Sequence, residues 1–475
     1  MNQVGLKKTL SWQALLSMGL GAVVGWSWVI YAGFWSTTGG SMGGIIGFAL
    51  TGILCSLVAM VYAELTSAYP RVGGDVVFTF EGLGDKFAIV SQWSLLIFWV
   101  GLVMIETMFL PVIMTRLGIP VPQWGPLWNS GGEPVYLSYM AISIGVNVLF
   151  AWLNARGAEL SGKIQTAMVY IMLAAALFFF FSGISLGDVS NMKPLFTDVA
   201  GFTAIMLMLP GFMAGFNAIP QAAEEGNVSH NVLGKLVIAC VWASVIFYLL
   251  IVIGLSFAAP LEVRLGEGLV VVDAIELMFA GSASARIFVV FASLLGMLTT
   301  WNACYLAASR LMLGLSRAKY LPPIFNEIHP QYQTPAKAMF ILCAVTSLIA
   351  LFGTNSAVYV GIINVFSMYI VIAWLLVSIS FLRLRDTKPD LPRPYKVKAG
   401  KFIGWASIIF CLGFLYLYTP FGPAGLSAAE WIGAGIWALI GLATYFIWNQ
   451  GKGKVTEEER RQLLRIDEKS LEEDA

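Results

Sequence analysis

The chain has 475 residues, of which 58% are hydrophobic and only 12% are charged, and its net charge is +1. A soluble domain carries about twice this charged fraction, so the composition argues against an ordinary soluble enzyme or binding module. A net charge near zero gives no reason to expect a nucleic-acid partner. We therefore interpret the chain as one membrane domain in contact with lipid.

Apolar segments long enough to cross a hydrocarbon core of about 30 Å recur from one end of the chain to the other. They predict an all-α membrane protein with twelve transmembrane helices. The predicted spans are 11–36, 42–66, 88–116, 137–153, 159–184, 200–222, 232–258, 286–314, 337–353, 357–382, 402–419 and 427–448.

Lys and Arg predict the orientation, because basic residues collect on the cytoplasmic side of a membrane protein. With both termini inside, 24 of the 28 basic residues lie in cytoplasmic segments. The four that fall in outer loops are Arg116, Lys193, Arg264 and Arg286. We therefore expect a multi-pass protein of the cell membrane with both termini in the cytoplasm.

Cysteine and histidine are scarce and scattered. The five cysteines lie within apolar segments and form no CxxC pair, and both histidines lie in predicted loops. This pattern predicts no disulfide, no metal site and no catalytic triad. We expect neither enzyme activity nor a cofactor.

Two of the predicted spans are interrupted by Gly and Pro. The first contains Gly19, Gly21 and Gly25, and the sixth contains Pro210, Gly211, Gly215 and Pro220. Gly and Pro weaken a helix, and transporters use paired breaks to aim half-helix ends at a substrate. Because the two spans are five apart, they predict two inverted five-helix repeats followed by two extra helices. The alternative is that Gly and Pro are simply common in membrane helices.

This organisation divides the chain into five segments. They are a cytoplasmic N-terminus at 1–10, a five-plus-five transport core at 11–385, a cytoplasmic loop at 386–401, the two extra helices at 402–449 and a charged cytoplasmic tail at 450–475. The tail is charged enough to be solvated, with one short helix predicted around Glu457–Ile466.

Short motifs follow one another from about residue 10 to about residue 400. They include Gly21-Ala22-Val23-Val24-Gly25, Tyr62-Ala63-Glu64-Leu65, Ala222-Ala223-Glu224-Glu225, Ser309-Arg310 and Arg393-Pro394-Tyr395. In this order and spacing the chain resembles the amino acid–polyamine–organocation (APC) superfamily, and within it the amino acid permeases. The resemblance implies two inverted repeats, alternating access and secondary active transport of a small amino acid, as a symporter or an exchanger.

The resemblance also implies where the substrate binds. In the family, amides at the start of the outer half of helix 1 hold the carboxylate, and carbonyl groups at the broken helices hold the amino group. A helix N-terminus favours an anion, which makes this placement physically reasonable. The matching positions are Val23, Trp26, Ser27, Gly211, Phe212 and Ala214.

Three positions depart from the family pattern. Trp26 stands where the family has a small residue, and its ring either enters the cavity and restricts the substrate or packs against a neighbouring helix. Gly211 occupies the usual place of a gating aromatic residue, so Phe212 or Trp28 is the candidate gate. Met172 stands where some members have a lysine in helix 5, which leaves the coupling mechanism open.

Other polar residues inside the spans are candidates for the site. Glu106 either binds a substrate ammonium or carries a proton, or it is a structural acid bonded to nearby hydroxyls. Thr299 and Thr300 either bind a sodium ion through oxygen ligands or make ordinary helix-to-helix hydrogen bonds. Asn217 is expected to bind substrate or the unwound backbone. Proton and sodium coupling both stay open.

Two other functions stay open as well: a carrier of a cationic amine or polyamine, and a non-transporting membrane receptor of the same fold. An amine carrier needs more inward-facing acids than Glu106, and paired helix breaks argue against a receptor or channel. We expect Glu64, Glu224, Glu225 and Arg310 to form gating or structural pairs. The expected assembly is a monomer or a homodimer.

Overall fold

The computed structural model describes residues 6–266, 268–353, 355–423, 425–450 and 455–466. Within these residues, eleven helices are long and apolar enough to cross a membrane, and Ala336–Phe352 is a shorter apolar helix. They confirm the predicted all-α class with about twelve membrane helices. Residues 1–5 of the predicted N-terminal segment, and 451–454 and 467–475 of the predicted tail, lie outside the described residues.

The helices follow the predicted spans, two of which are divided into pieces. In chain order they are α1 (Trp12–Val24), α2 (Ser27–Ile30), α3 (Ala32–Thr38), α4 (Ser41–Ala68), α5 (Asp75–Leu83), α6 (Asp85–Arg116), α7 (Leu137–Ala155), α8 (Ala158–Leu186), α9 (Val199–Met213), α10 (Ala218–Gln221), α11 (His230–Ala258), α12 (Leu261–Arg264), α13 (Val270–Met278), α14 (Ala283–Arg317), α15 (Ala336–Ser347), α16 (Ser356–Thr387), α17 (Gly400–Tyr418), α18 (Ala428–Tyr445) and α19 (Glu457–Leu463). An antiparallel hairpin of β1 (Pro126–Ser130) and β2 (Glu133–Tyr136) lies between α6 and α7. Apolar runs form helices because lipid offers backbone groups no hydrogen-bond partner.

Burial separates central helices from peripheral ones. In α6 and α14, 72% of the most apolar stretch is buried, whereas the share is 33% in α17 and 11% in the span that begins with α18. A helix that is buried on most sides lies inside the bundle, and one that exposes its apolar side chains faces lipid. The two extra helices therefore lie at the edge.

Helices that are five spans apart pack against each other. The second span, α4, lies along the seventh, α11, and the third span, α6, lies along the eighth, α14. This pairing agrees with two interlocked five-helix repeats.

Both ends of the described chain meet on one face of the bundle, which we call the terminal face. The amides of Thr9 and Leu10 donate to the Glu225 carbonyl oxygen at 3.0 and 2.9 Å, and the Arg465 guanidinium lies 3.8 Å from the Glu224 carboxylate. The helix α6 begins at this face and leads to the β-hairpin on the other side, which we call the opposite face.

The charged tail is less exposed than the sequence predicts. The helix α19 falls within the predicted short helix, but Arg460 is fully buried, and Leu464 and Ile466 are buried as well. The prediction of a solvated tail is therefore wrong for this part of the chain. The physical reason is that acids on the terminal face pair with the tail's arginines.

Candidate functional site

The first predicted break lies at Gly25. The helix α1 ends at Val24, and Gly25 has a φ of 51°, a left-handed conformation that suits glycine. The break frees carbonyl oxygens, which must find partners inside the protein. The Tyr248 hydroxyl of α11 lies 3.0 and 3.2 Å from two of these oxygens, and the Ser27 hydroxyl donates to the Val24 oxygen at 2.8 Å. Side chains therefore satisfy the interrupted backbone.

The second break lies between Pro210 and Pro220 of the sixth span. The helix α9 continues through Pro210 and Gly211 to Met213 before it opens, because a proline removes only one backbone donor and a helix can accommodate it. Gly215 has a φ of 156°, and a Cβ added there would lie 2.7 Å from Val23 Cγ2 and 2.9 Å from the Val23 nitrogen. The two breaks are therefore in direct contact.

A cavity of about 510 Å³ lies beside the two breaks. Its wall includes Glu106 of α6, and it extends to Val360 near the start of α16 and to Tyr418 at the end of α17. The cavity therefore reaches from the breaks towards the opposite face. All six positions implied by the family resemblance line it, namely Val23, Trp26, Ser27, Gly211, Phe212 and Ala214.

Two helix ends of opposite polarity lie at the wall of this cavity. The helix α9 ends at Met213, and the last carbonyl groups of a helix lack an intrahelical partner and carry partial negative charge. The outer half of the first span begins at Ser27, where free amides carry partial positive charge. This arrangement suits a ligand that has both a cationic and an anionic group.

The Trp26 side chain reaches across to α6. It donates a hydrogen bond to Glu106, and the donor is Nε1 because an indole carries only one N–H group. Glu106 is 2% exposed, and its Oε2 has no hydrogen-bond partner within the described residues. The ring orientation that the sequence left open is therefore inward, and Glu106 keeps one carboxylate oxygen available.

Of the two candidate gate residues, only Phe212 lies at the cavity. Its ring centroid is 5.2 Å from that of Tyr31 and 5.3 Å from that of Trp35. Trp28 is fully buried and packs edge to face against Phe247 at 5.9 Å. The position of Phe212 suits a gate, whereas Trp28 packs in the core away from the cavity wall.

The two threonines of the predicted ion site make internal hydrogen bonds. Thr300 donates to the Gly21 carbonyl oxygen of α1 at 2.8 Å, and Thr299 donates to the Gly296 carbonyl oxygen of its own helix at 2.6 Å. Of the two, Thr300 lines the cavity. The Thr300 bond matches the helix-to-helix alternative, whereas the Thr299 bond stays within α14, and the sodium site stays a prediction.

Asn217 and Met172 do not line the cavity. Asn217 is fully buried, and neither polar atom of its side chain has a partner within the described residues. Asn217 therefore makes no hydrogen bond to the unwound backbone within the described residues, and its role in binding stays a prediction. Met172 of α8 is fully buried and apolar, so it supplies no charge near the breaks.

Sequence reasoning missed three residues around the site. Tyr248 supports the first break, Tyr31 lies against Phe212, and Asn364 of α16 lines the cavity. Tyr248 and Asn364 are each the only residue of their type in their helix. The signal that singled out Glu106, a lone polar group within an apolar span, could have found both.

Buried ion pairs close the terminal face. The Arg310 Nε lies 2.7 Å from Glu225 Oε2, with the two side chains at 0% and 1% exposure. Two further pairs on this face are Arg317–Glu224 at 2.9 Å and Arg385–Glu64 at 2.5 Å. The predicted pairing of these acids is confirmed.

A buried aspartate lies near the same face. Asp75 begins α5 and accepts hydrogen bonds from the Tyr62 hydroxyl and from Gln221 Nε2, the latter at 2.6 Å. Gln221 ends α10, so the contact ties α5 to the inner half of the sixth span. Burial raises the pKa of Asp75 to about 7.

Comparison with known proteins finds a matching family model and several similar proteins. A family model described as amino acid permease matches residues 10–446. The chain is similar to a methylthioribose transporter of Bacillus subtilis, with 25% identity over 94% of both chains. It is also similar to the branched-chain amino acid permease BcaP of the same organism, with 24% identity over 95% of both chains. An aspartate–proton symporter of Bacillus subtilis is 24% identical over 87% of this chain and 80% of its own.

Proposed function

Since the chain belongs to the amino acid permease family and has the helices of a multi-pass membrane protein, we propose that it carries a small amino acid across the cell membrane by alternating access. The relatives are named as transporters and permeases, which indicates transport rather than catalysis. The observation that carries the proposal is the cavity at the two helix breaks.

The polarity of the cavity supports an amino acid as the substrate. An α-amino acid carries its ammonium and its carboxylate on the same carbon. Two helix ends of opposite polarity at one cavity can therefore stabilise both charges at once. Amides at Trp26 and Ser27 face the carboxylate in this arrangement, and carbonyl groups at Gly211 and Phe212 face the ammonium. Each interaction of a charge with a helix end contributes about 0.3–1 kcal/mol at exposed sites and up to about 2 kcal/mol where water is partly excluded.

The rest of the wall supports a neutral side chain. Phe98, Leu102 and Ile105 of α6 face the cavity together with Ile363 and Phe366 of α16. Burying apolar surface contributes about 25 cal/mol per Å², so this wall favours a branched or otherwise apolar side chain. The name of the branched-chain permease among the relatives agrees with that preference.

The coupling ion in this proposal is a proton, carried by Glu106. A carboxylate inside a membrane is costly without a partner, and the free Oε2 of Glu106 is the place where a proton binds. The hydrogen bond from Trp26 connects this carboxyl group to the first break. One relative is named as a proton symporter. Sodium at Thr299 and Thr300 is the competing choice.

The terminal face is cytoplasmic in this proposal. It carries the chain termini and the loops that are rich in Lys and Arg, and such loops lie on the cytoplasmic side of a membrane protein. Cysteine labelling tests the orientation. Gly132→Cys lies in the hairpin turn with open space around it, and Lys398→Cys lies in an exposed loop on the terminal face. We expect a membrane-impermeant thiol reagent outside cells to label Gly132→Cys alone. Labelling of both from the same side contradicts the orientation.

Uptake into proteoliposomes tests the substrate and the coupling ion together. The panel contains leucine, alanine, aspartate, arginine, putrescine and 5-methylthioribose, each with and without sodium and with and without an inward proton gradient. We expect leucine or alanine to enter fastest, with stimulation by the proton gradient and none by sodium. Uptake of putrescine alone supports the amine carrier, and uptake of no compound contradicts transport of this class.

Two matched variants separate the role of Glu106 from a general effect of charge. Glu106→Gln keeps the shape of the side chain, and we expect it to retain exchange of substrate while losing stimulation by the proton gradient. Glu159→Gln changes an acid that is 53% exposed on α8, and it should behave like the parent. Proton stimulation that survives in Glu106→Gln assigns the proton to another group.

A further inference from the structure

The described end of the tail is fastened to the terminal face. The helix α19 starts after Thr456, whose hydroxyl accepts a hydrogen bond from the Glu459 amide at 3.1 Å. The chain then reaches Leu464 and Ile466, which are 3% and 5% exposed. We call the segment Thr456–Ile466 the clasp. A highly charged segment stays solvated unless specific contacts bury it, and such contacts are present here.

Arg460 is the centre of the clasp. Its side chain is 0% exposed, and its Nε lies 3.0 Å from Asp85 Oδ1. The guanidinium lies 4.5 Å above the centre of the Tyr320 ring and donates to the Ala318 carbonyl oxygen. Asp85 also accepts a hydrogen bond from the Tyr320 hydroxyl at 2.9 Å. Removing a guanidinium from water is costly unless charge and hydrogen-bond partners replace it. This pocket supplies both, so the docking is specific.

Two more arginines spread the clasp over the terminal face. The Arg461 Nε lies 2.8 Å from Glu81 Oε1, and Glu81 also pairs with Lys388 in the segment after α16. The main-chain oxygen of Arg465 accepts a hydrogen bond from Arg71 Nε at 2.7 Å. The clasp therefore contacts α5 and the loop before it, as well as the start of α6.

The clasp crosses the seam between the inner end of the sixth span and the end of α14. On one side, Arg460 binds the residues that follow α14. On the other side, the Arg465 guanidinium lies 3.8 Å from Glu224. The Arg310–Glu225 pair closes the same seam. If the sixth span leaves α14 when the cavity opens to the terminal face, the clasp must detach from one side of this seam.

We propose that the clasp holds the terminal face closed and thereby sets how often the cavity opens to that face. The inference rests on the proposed function, because it assumes that the cavity alternates between the two faces. A segment that binds only the closed form shifts the equilibrium towards that form. Loss of the clasp therefore raises the population that is open at the terminal face.

Arg460→Ala tests the proposal in the full chain with Met18→Cys as a reporter. Met18 is 1% exposed on the terminal-face side of the first break, and the native cysteines are all buried. We expect a thiol reagent applied at the terminal face to label the reporter roughly tenfold faster in Arg460→Ala than in the parent. The matched control is Gln462→Ala, an exposed position of the same helix, which should label at the parental rate.

Two further variants keep the test decisive. Arg460→Lys retains a charge beside Asp85 and should label more slowly than Arg460→Ala. A chain that ends at Val455 lacks the clasp and should also label the Met18→Cys reporter faster than the parent. It replaces Arg460→Ala in the test if that variant does not fold. Parental labelling rates in both Arg460→Ala and the shortened chain overturn the proposal. Labelling needs no substrate, so faster labelling supports the clasp even if the uptake panel contradicts amino acid transport.

Discussion

The two sides of the helix breaks are closed by different chemistry. On the side of the opposite face, aromatic rings bound the cavity, with Phe212 at 5.2 Å from Tyr31 and 5.3 Å from Trp35. On the side of the terminal face, a buried ion pair between Arg310 and Glu225 closes the path. The cavity extends from the breaks towards the aromatic side.

The two kinds of contact differ in how much the loss of one partner costs. An aromatic pair contributes about 0.5–1.5 kcal/mol beyond the area it buries, and rings rearrange by side-chain rotation. Removing one partner of a buried ion pair costs about 3–5 kcal/mol, because it leaves a charge without compensation. Loss of one charged partner on the terminal face should therefore cost more than loss of one aromatic contact, and the following predictions test that difference.

Gly215→Val acts where the two sides meet and should have the largest effect. A Cβ at this position would lie 2.7 Å from Val23 Cγ2, and the φ of 156° does not suit a branched residue. Overpacking and backbone strain each cost about 1–3 kcal/mol, so we expect substrate binding to fall by more than about 100-fold. Calorimetry or scintillation proximity with purified protein measures it.

Gly211→Ala is the matched control for that variant. Gly211 lines the same cavity, and an added Cβ meets nothing within 4 Å. Its affinity should change by less than about threefold, since the added methyl group causes no overpacking. Equal affinity in both variants would mean that the close contact of the breaks is not needed for binding.

Arg310→Ala acts on the terminal face. It leaves Glu225 buried without a partner, so we expect the free energy of unfolding to fall by about 3–5 kcal/mol. Denaturation of the purified protein measures the loss. Lys163→Ala removes an exposed pair with Glu159, whose side chains are 72% and 53% exposed, and should cost less than about 0.5 kcal/mol. Similar losses in both variants contradict the view that buried charge closes this face.

Asp75 gives the terminal face a pH dependence. Burial raises its pKa from 3.8 to about 7, so the folded protein binds this proton more tightly than the unfolded chain. The stabilising contribution is complete below pH 3.8, the unfolded value, and is lost as the pH rises through about 7. We expect the free energy of unfolding to fall by about 2.5 kcal/mol between about pH 5 and about pH 8. Asp75→Asn should remove that slope.

Asp386→Asn is the control for the pH series. Its side chain is 62% exposed beside Lys401, so the parental slope should persist. Thermal melts of the parent and of both variants over the same pH series give the comparison. A slope that persists in Asp75→Asn assigns the pH dependence to another group.

Trp26→Ala acts at the cavity wall and should have the smallest effect. The ring lies in the cavity wall with its N–H bonded to Glu106, so its removal adds space for the substrate. We expect the uptake of large apolar amino acids to rise relative to small ones by roughly three- to tenfold. Trp405→Ala, on a tryptophan that is 60% exposed on α17, is the control. An unchanged ratio would show that the ring only packs.

The helix breaks show how far sequence reasoning reached. Gly25 and Gly215 lie at the observed breaks because their positive φ values are accessible to glycine and strained for other residues. The two prolines of the sixth span do not mark the break, since α9 continues past Pro210 and α10 contains Pro220. A proline limits the local backbone, but whether the helix opens there depends on what packs around it.

The charged residues show the same limit. The sequence predicts ion pairs for Glu224, Glu225 and Arg310, because unpaired charges are costly in or near a membrane. The structure confirms these pairs. The sequence predicts that Arg460 belongs to a solvated tail, because its neighbours in the chain are charged. Its burial depends on Asp85, which lies far away in the sequence and next to it in the fold.

The sequence by itself determined the membrane class, a total of about twelve apolar helices and the two places where glycine opens them. These properties depend on the length and chemistry of single segments. Only the tertiary structure decided that Trp26 bonds to Glu106, that Tyr248 supports the first break and that the tail binds the terminal face. These contacts depend on how each helix is rotated and packed against helices that are distant in sequence, and no local pattern of residues specifies that rotation.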